Sequence, residues 1–337
     1  MDHVAIDLGK RESQVCVRDG TGQIVEEKRV RTRELGKVLG GRPRSRVIVE
    51  TSAEAFGVAD LAKEHGHEVR VVPSAIVRLL GVGARKLKTD QRDARALSEA
   101  SCLRDLPSVH VPSALSRRLK EQCTAREALI GCRTKLTNTI KGLVRSELGS
   151  VAARGGSPRF VSKVRAQVPS QPQLEWLVAP IEALNAQIHQ ADRELLAIAK
   201  EHPVTRLLMS MPGVGPVTAI RFVSALDDAT RFSSASEVAS YLGLVPGENT
   251  TGFKPVRLGI TKAGPSKVRW ALSQAAWCLW RTRPNDPLVK WAKRIAERRG
   301  RQKAIGALSR KMATILWAMW RDGKRYDPPR AVSGSSD

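Results

Sequence analysis

The stretch His3–Val30 reads HVAIDLGKRESQVCVRDGTGQIVEEKRV, and it decides the fold. Its opening, HVAIDLG, is a short apolar run that carries one acid, Asp7. SQVCVRDGTGQIVEEKRV then holds two alternating stretches around Asp-Gly-Thr-Gly, a composition that turns a chain tightly and predicts a β-hairpin. Working outward, a helical stretch near Thr32–Leu39 leads to RVIVE (residues 46–50), a run apolar enough for a buried strand. A helix, AEAFGVADLAKEHG, is closed by Gly66; a strand, EVRVV, and a second helical region follow.

Three meandering strands followed by alternating helix and strand predict an α/β, ribonuclease-H-like domain over residues 1–108. Residues 109–202 read as a helical and coiled-coil middle. SALSRRLKEQCTAREALIGCRTKLTNTIKGLVRSEL reads as one long helix decorated with cations from Arg117 to Arg145, and GSVAARGGSPRF predicts a loop or linker. Leu174, Leu177, Ile181, Leu184, Ile188, Ala191, Leu195 and Ile198 alternate spacings of three and four, a coiled-coil seam with Pro180 marking a start or a kink. The seam suits either an intramolecular helical hairpin or a dimer contact. Residues 203–325 read as a mostly α domain, and residues 326–337 as a disordered tail.

Charge narrows the partners. Of 337 residues, 57 are Lys or Arg against 33 Asp or Glu, a net +24 that attracts polyanions, nucleic acid above all. A membrane is the poorer fit: no basic amphipathic segment with an aromatic face stands out, and no apolar run approaches the ~18 residues of a span. The first residues lack the basic-then-apolar layout of a signal peptide. Five cysteines without CxxC or CxxH spacing argue against zinc and against a disulfide framework, and predict a reducing cytoplasm. An aromatic content of 4% argues against a stacking platform for single strands; tryptophans such as Trp270, Trp277 and Trp317 suit helix cores.

Four acids occupy places that a phosphodiester-cleaving core would use. Asp7 lies on the first strand, Glu50 ends RVIVE, and Asp90 and Asp93 open a helix in LKTDQRDARAL after Thr89, a residue type favoured at N-caps. Residues three apart share a helix face, so Asp90 and Asp93 can point at one place. Each acid also has a plain explanation. Asp90 and Asp93 gain roughly 0.3–1 kcal/mol from the helix dipole without any metal; Asp7 can pair with Lys10, and Glu50 can cap the next helix. Jointly, four converging carboxylates repel unless a cation compensates them. Two Mg²⁺ ions supply that charge, accept hard oxygen ligands, and stabilise attacking and leaving oxygens at phosphorus. Arg85, Lys86, Lys88 and Arg92 would then hold phosphates nearby, or else form a solvated basic face.

MPGVGPVTA (residues 211–219) resembles a helix-hairpin-helix turn, in which Gly213 and Gly215 let backbone N–H groups approach a phosphate. The alternative is a tight helix–helix connection. YLGLVPGENTTGFKPVRLGITKAGPSKVRW combines Thr250, Thr251, Thr261 and Ser266 with glycines and with Lys254, Arg257, Lys262, Lys267 and Arg269. A hydroxyl among cations in a flexible loop can attack phosphorus. By residue type alone, a phosphate-binding loop without covalent chemistry is the simpler reading.

These motifs resemble the insertion sequence 110 family of transposases, the bridge-RNA-guided DNA recombinases, over nearly the full length. AIDLGK, VIVETSA and KTDQRDARAL match the acids of the family's RuvC-like DEDD domain at Asp7, Glu50, Asp90 and Asp93. MPGVGPVTA, YLGLVPGE, GITKAG and VRWALSQAAW match its transposase domain. The resemblance implies Mg²⁺-dependent DNA strand cleavage and exchange between element ends and target in a bacterial cytoplasm. It further implies a hydroxyl nucleophile that becomes joined to DNA, a structured guide RNA from the element, and a homo-oligomer, dimer to tetramer. The family usually carries serine before the loop glycine, whereas this chain has Thr250-Thr251-Gly252. Threonine keeps the hydroxyl but adds a methyl that stiffens χ1. Thr251 is the expected nucleophile, Thr250 the second choice and Ser266 a third. A RuvC-like nuclease using the acids alone, and a catalytically impaired RNA–DNA scaffold, are the alternatives.

Overall fold

The computed structural model describes residues 1–79, 90–167, 172–251 and 254–328; for residues 78, 79 and 248–257 it describes the backbone alone. Contacts divide the chain into two units, Met1–Pro112 and Ser113 onward.

In the first unit β1 (His3–Asp7), β2 (Glu12–Arg18) and β3 (Ile24–Arg31) form an antiparallel meander. Its hairpin turn is built as the sequence predicts: Asp19 Oδ1 accepts hydrogen bonds from Thr21 N–H, Thr21 Oγ1 and Gln23 N–H, while Gly22 takes φ +87°. β4 (Arg46–Glu50) pairs with β1 in parallel and β5 (Glu68–Val72) with β4, giving the sheet order β3-β2-β1-β4-β5. The helices are α1 (Leu35–Gly40), α2 (Ala55–Glu64), α3 (Ser74–Leu79) and α4 (Asp90–Leu103).

Strand alternation splits the core into two layers. Val4, Ile6, Val47, Val49 and Val71 pack against Leu35 and Leu39 of α1 and Val58 and Ala62 of α2. Ala5, Ile48 and Val72, one residue out of phase, pack against Leu97 and Ala100 of α4. Each fully buried Val, Leu or Ile contributes about 1.5–3 kcal/mol, so both helix layers are held by burial rather than by helix propensity.

The second unit begins with α5 (Ala114–Ser146), capped by Ser113, whose hydroxyl accepts from Ser116 N–H. α6 (Pro158–Arg165) and α7 (Glu175–Glu201) pack against α5 around Ile140, Phe160, Val164, Val178 and Ile181. The coiled-coil stripe is therefore satisfied within the chain, with Arg126–Asp192 and Arg133–Asn185 joining α5 to α7. Two readings of this region change. GSVAARGGSPRF is a loop up to Ser157 but no free linker: Val151 and Phe160 are buried, and a Cβ on Gly155 would collide with Thr137 Oγ1 of α5. Pro180 starts no helix, because α7 runs through it.

Downstream are α8 (Pro203–Leu208), α9 (Pro216–Leu226), α10 (Ala235–Tyr241), α11 (Ser266–Thr282), α12 (Pro287–Arg299) and α13 (Arg301–Asp322), sharing a core that includes Phe222, Leu272, Leu308 and Trp317. The segment expected to be a flexible loop contains an antiparallel hairpin, β6 (Pro246–Thr251) and β7 (Lys254–Ile260). Val256, Leu258 and Ile260 alternate in the sequence, a period-two signal hidden among the glycines. Trp270 is not a core residue; it is 57% exposed on α11. Tyr326, expected to open the disordered tail, packs against the core, and its backbone N–H donates to Ser210 Oγ at 3.0 Å. Residues 329–337 lie outside the described residues. No helix among the described residues is long and apolar enough to cross a membrane.

Candidate active-site elements

Asp7 and Glu50 are the last residues of the neighbouring parallel strands β1 and β4. The pairing Ile6↔Val49 just before them puts both at the same carboxyl edge. Alternation assigns them a face as well. Ala5 and Ile48, two residues earlier in each strand, pack in the layer that holds α4, so positions 7 and 50 belong to the α4 side.

α4 is fixed against that side by polar rungs along its length. Ser101 Oγ hydrogen-bonds His3 Nδ1 at 2.7 Å, and Ser98 Oγ meets Cys16 Sγ at 3.3 Å and accepts from Arg18 Nε at 3.1 Å. Arg95 grips Glu27 of β3 through two bonds of 2.5 Å, and Gln91 reaches the same carboxylate. Arg95 holds the Glu27 carboxyl below the usual carboxylate range, and burial lowers the His3 pKa. The rungs fix a register. Cys16 pairs with Ala5, so Ser101 sits beside residue 3 and Ser98 beside the level of residue 5. From Ser98 toward the N-terminus, Asp93 is ~7.5 Å away along the helix, and from Ala5 to Asp7 is ~6.6 Å along the strand. Asp93 is thus about level with Asp7, with Asp90 one turn further out. Both share the stripe of Ala94, Leu97 and Ser101, which is buried.

The four positions therefore share one face and one end of the sheet. Asp7, Glu50 and Asp93 are half-buried and Asp90 is exposed. Among the described residues, no three acidic, histidine or cysteine side chains are gathered closely enough to hold a metal ion. The donor chemistry, four hard carboxylates, nonetheless suits a divalent cation such as Mg²⁺. Thr89 and the cations Arg85, Lys86 and Lys88 lie outside the described residues. Arg92 follows Asp90 in the first turns of α4.

Thr250 and Thr251 end β6, where Thr251 pairs with Lys254 across the hairpin; the side chains of Thr250, Thr251, Lys254 and Arg257 lie outside the described residues. The hairpin rests on an interlocked base. Gly243 (φ +66°) and Gly264 (φ +73°) lie so close to the opposing chain that a Cβ would strike the carbonyl oxygens of Ala263 and Tyr241 respectively. Arg269 closes the base, Nη1 donating to the carbonyls of Leu242, Ala263 and Gly264 at 3.1, 2.7 and 3.0 Å. The motifs YLGLVPGE and GITKAG are thus two sides of one structure, a pairing that residue types did not reveal.

Several expected phosphate-binding residues already have protein partners. Arg269 is a carbonyl clamp. Lys267 pairs with Glu127 of α5, whose other oxygen accepts from the buried Arg221 at 2.8 Å. Gly213 takes φ +87°, and a Cβ there would lie 2.6 Å from the Ala275 carbonyl oxygen, so close packing on α11 by itself requires glycine. Gly215 is the N-cap of α9 and faces open space, while Lys262 is exposed with φ +56°.

Comparison with known proteins covers both units. A transposase family model of the insertion sequence 110 DEDD type matches residues 4–147. A second, described as "Transposase IS116/IS110/IS902 family", matches residues 205–289. The chain is 28% identical over 334 residues to the transposase for insertion sequence element IS1111A of Coxiella burnetii, covering 96% of this chain and 90% of the relative. It is 27% identical over 335 or more residues to two others. One is the "Probable family 20 transposase" of Pseudomonas aeruginosa (97% and 99% covered); the other is the transposase for IS1328 of Yersinia enterocolitica (95% and 97% covered).

Proposed function

Because the chain belongs to the IS116/IS110/IS902 family of transposases, we propose that it cuts and rejoins DNA at the ends of an insertion sequence and at its target. The observation that supports this reading is the hydrogen bonding of Ser101 and Ser98 of α4 to His3 and Cys16, on the face of the sheet where Asp7 and Glu50 finish neighbouring parallel strands. The β3-β2-β1-β4-β5 order supports a RuvC-like assignment for the first unit.

In this reading Asp7, Glu50, Asp90 and Asp93 hold two Mg²⁺ ions, which supply charge stabilisation at phosphorus when bound. The Thr251 hydroxyl attacks a phosphodiester; its new O–P bond forms as a strand O–P bond breaks, leaving the strand covalently joined to the protein. Thr250 is the adjacent alternative. Arg85, Lys86, Lys88, Arg92, Lys254, Arg257 and Lys262, with the backbone at Gly215, grip phosphates, whereas Lys267 and Gly213 are held by protein contacts. A structured RNA from the element selects the DNA, a homo-oligomer up to a tetramer assembles on it, and the setting is the bacterial cytoplasm.

The test incubates the full chain with element-end and target DNA, element RNA and Mg²⁺, comparing wild type with Asp7→Asn, Glu50→Gln, Asp93→Asn and Thr251→Ala. Joined recombinant strands in wild type alone, with DNA binding kept in the carboxamide variants, are the expected result. Nicked but unjoined junctions would point to a nuclease, and binding without chemistry to a scaffold. Undiminished covalent adduct in Thr251→Ala rejects Thr251 as nucleophile.

A further inference from the structure

Two grooves among the described residues of the second unit are distinguished by their charge. One, of about 660 Å³, is lined by Ser162, Arg165, Asn185 and His189, but Arg165 is already bound by both Glu175 and Glu182. Its cation is neutralised, so the groove has no charge left for an anion. The other, of about 570 Å³, lies between α8 and the end of α13. Its apolar wall is Val204, Leu207 and the half-buried indole of Trp320, and its cations are Arg206 and Arg325. Both guanidiniums are on exposed residues, neither is ion-paired among the described residues, and no acidic side chain lines the groove.

The wall is built before any ligand arrives. Gly323 ends α13 in the left-handed conformation (φ +64°), Lys324 N–H donates to the Met319 carbonyl, and Tyr326 N–H donates to Ser210 Oγ. These contacts hold the segment that presents Arg325 opposite α8. An aromatic side chain and two unneutralised guanidiniums lining one groove, in a chain of net charge +24, suit a flat base flanked by phosphates.

We propose that this groove takes an unpaired nucleotide of a nucleic-acid strand, its base stacked on Trp320 and its flanking phosphates held by Arg206 and Arg325. The inference rests on the reading of the chain as a nucleic-acid enzyme but concerns residues other than the acids and the threonine pair. Stacking on Trp320 requires a base that is not paired in a duplex, so the strand is single at this point. A single strand of DNA and a loop of RNA share the required chemistry.

Photocrosslinking distinguishes the two sources. The full chain is irradiated with short single-stranded probes, one of RNA carrying iodouridine and one of DNA carrying iododeoxyuridine, and the adducts are mapped by peptide mass spectrometry. The expected result is an adduct on Trp320 from at least one probe, the stronger of the two identifying the strand. The Arg206→Gln/Arg325→Gln variant, which leaves the indole in place, should lower that yield roughly tenfold. Trp320→Phe, which keeps a stacking ring and the packing, should move the adduct to Phe rather than abolish binding. Absence of a residue-320 adduct from both probes, or a yield unchanged by the arginine substitutions, overturns the proposal. If that same preparation still cleaves and joins DNA, the groove alone is rejected; if it binds no nucleic acid, the functional reading falls with it.

Discussion

Gly243 shows how a single residue can fix a surface element. Its positive φ and the collision awaiting any Cβ at the Ala263 carbonyl mean that Gly243→Ala must either strain the backbone or separate the hairpin base. We expect a loss of about 2 kcal/mol or more in urea unfolding. Glu127 is the second such residue, since it faces Lys267 and the buried Arg221. The hydrogen bond from Lys267 is the chief cause holding its carboxyl below the usual range. A depressed acid pKa stabilises the fold above the unfolded-state value near 4.5, and that stability is lost as pH falls through the lower folded-state value. Wild type should therefore lose stability on acidification below about pH 4.5 more steeply than Glu127→Gln, measured by denaturant midpoint against pH. The sequence signalled neither role. Lys267 and Arg269 resemble free phosphate-binding cations until the fold supplies their partners.

Among the elements, α4 links sequence to site most directly. The helix that Asp90 and Asp93 open was legible from the sequence, and so were β1, β4 and the Asp19–Gly22 turn, whereas its buried stripe was not. Its register was not, because the serines and Arg95 that set it become informative only beside their strand partners. Arg95→Ala should loosen the N-terminal half of α4 while leaving its buried Leu97 and Ala100 in place. If Asp90 and Asp93 hold a metal ion, catalysis should fall about 10- to 100-fold with DNA affinity little changed. Equal loss of binding and catalysis would mean that Arg95 contacts DNA instead. The β6–β7 hairpin is the converse case. Glycines, prolines and hydroxyls concealed its alternation, and tertiary packing at Gly243 and Gly264 created an ordered base where composition suggests a loop.

For the whole molecule, net charge makes the broadest prediction. DNA or RNA affinity should fall linearly on a log–log plot against salt, with a slope of about −0.9 per neutralised duplex phosphate. If the exposed face of α5 binds the backbone, substituting Arg118 and Lys135 by glutamine should make that slope shallower by about 0.9 for each phosphate no longer neutralised. An unchanged slope would place the nucleic acid on another face. By itself the sequence determined the polyanionic partner, the α/β-then-helical order and the identity of the candidate acids, because charge, periodicity and turn chemistry are properties of short segments. Only the tertiary structure decided which end of α4 meets which strands, which cations are already neutralised and where Trp320 finds two that are not. Those depend on contacts between residues far apart in the chain, and local pattern holds no trace of them.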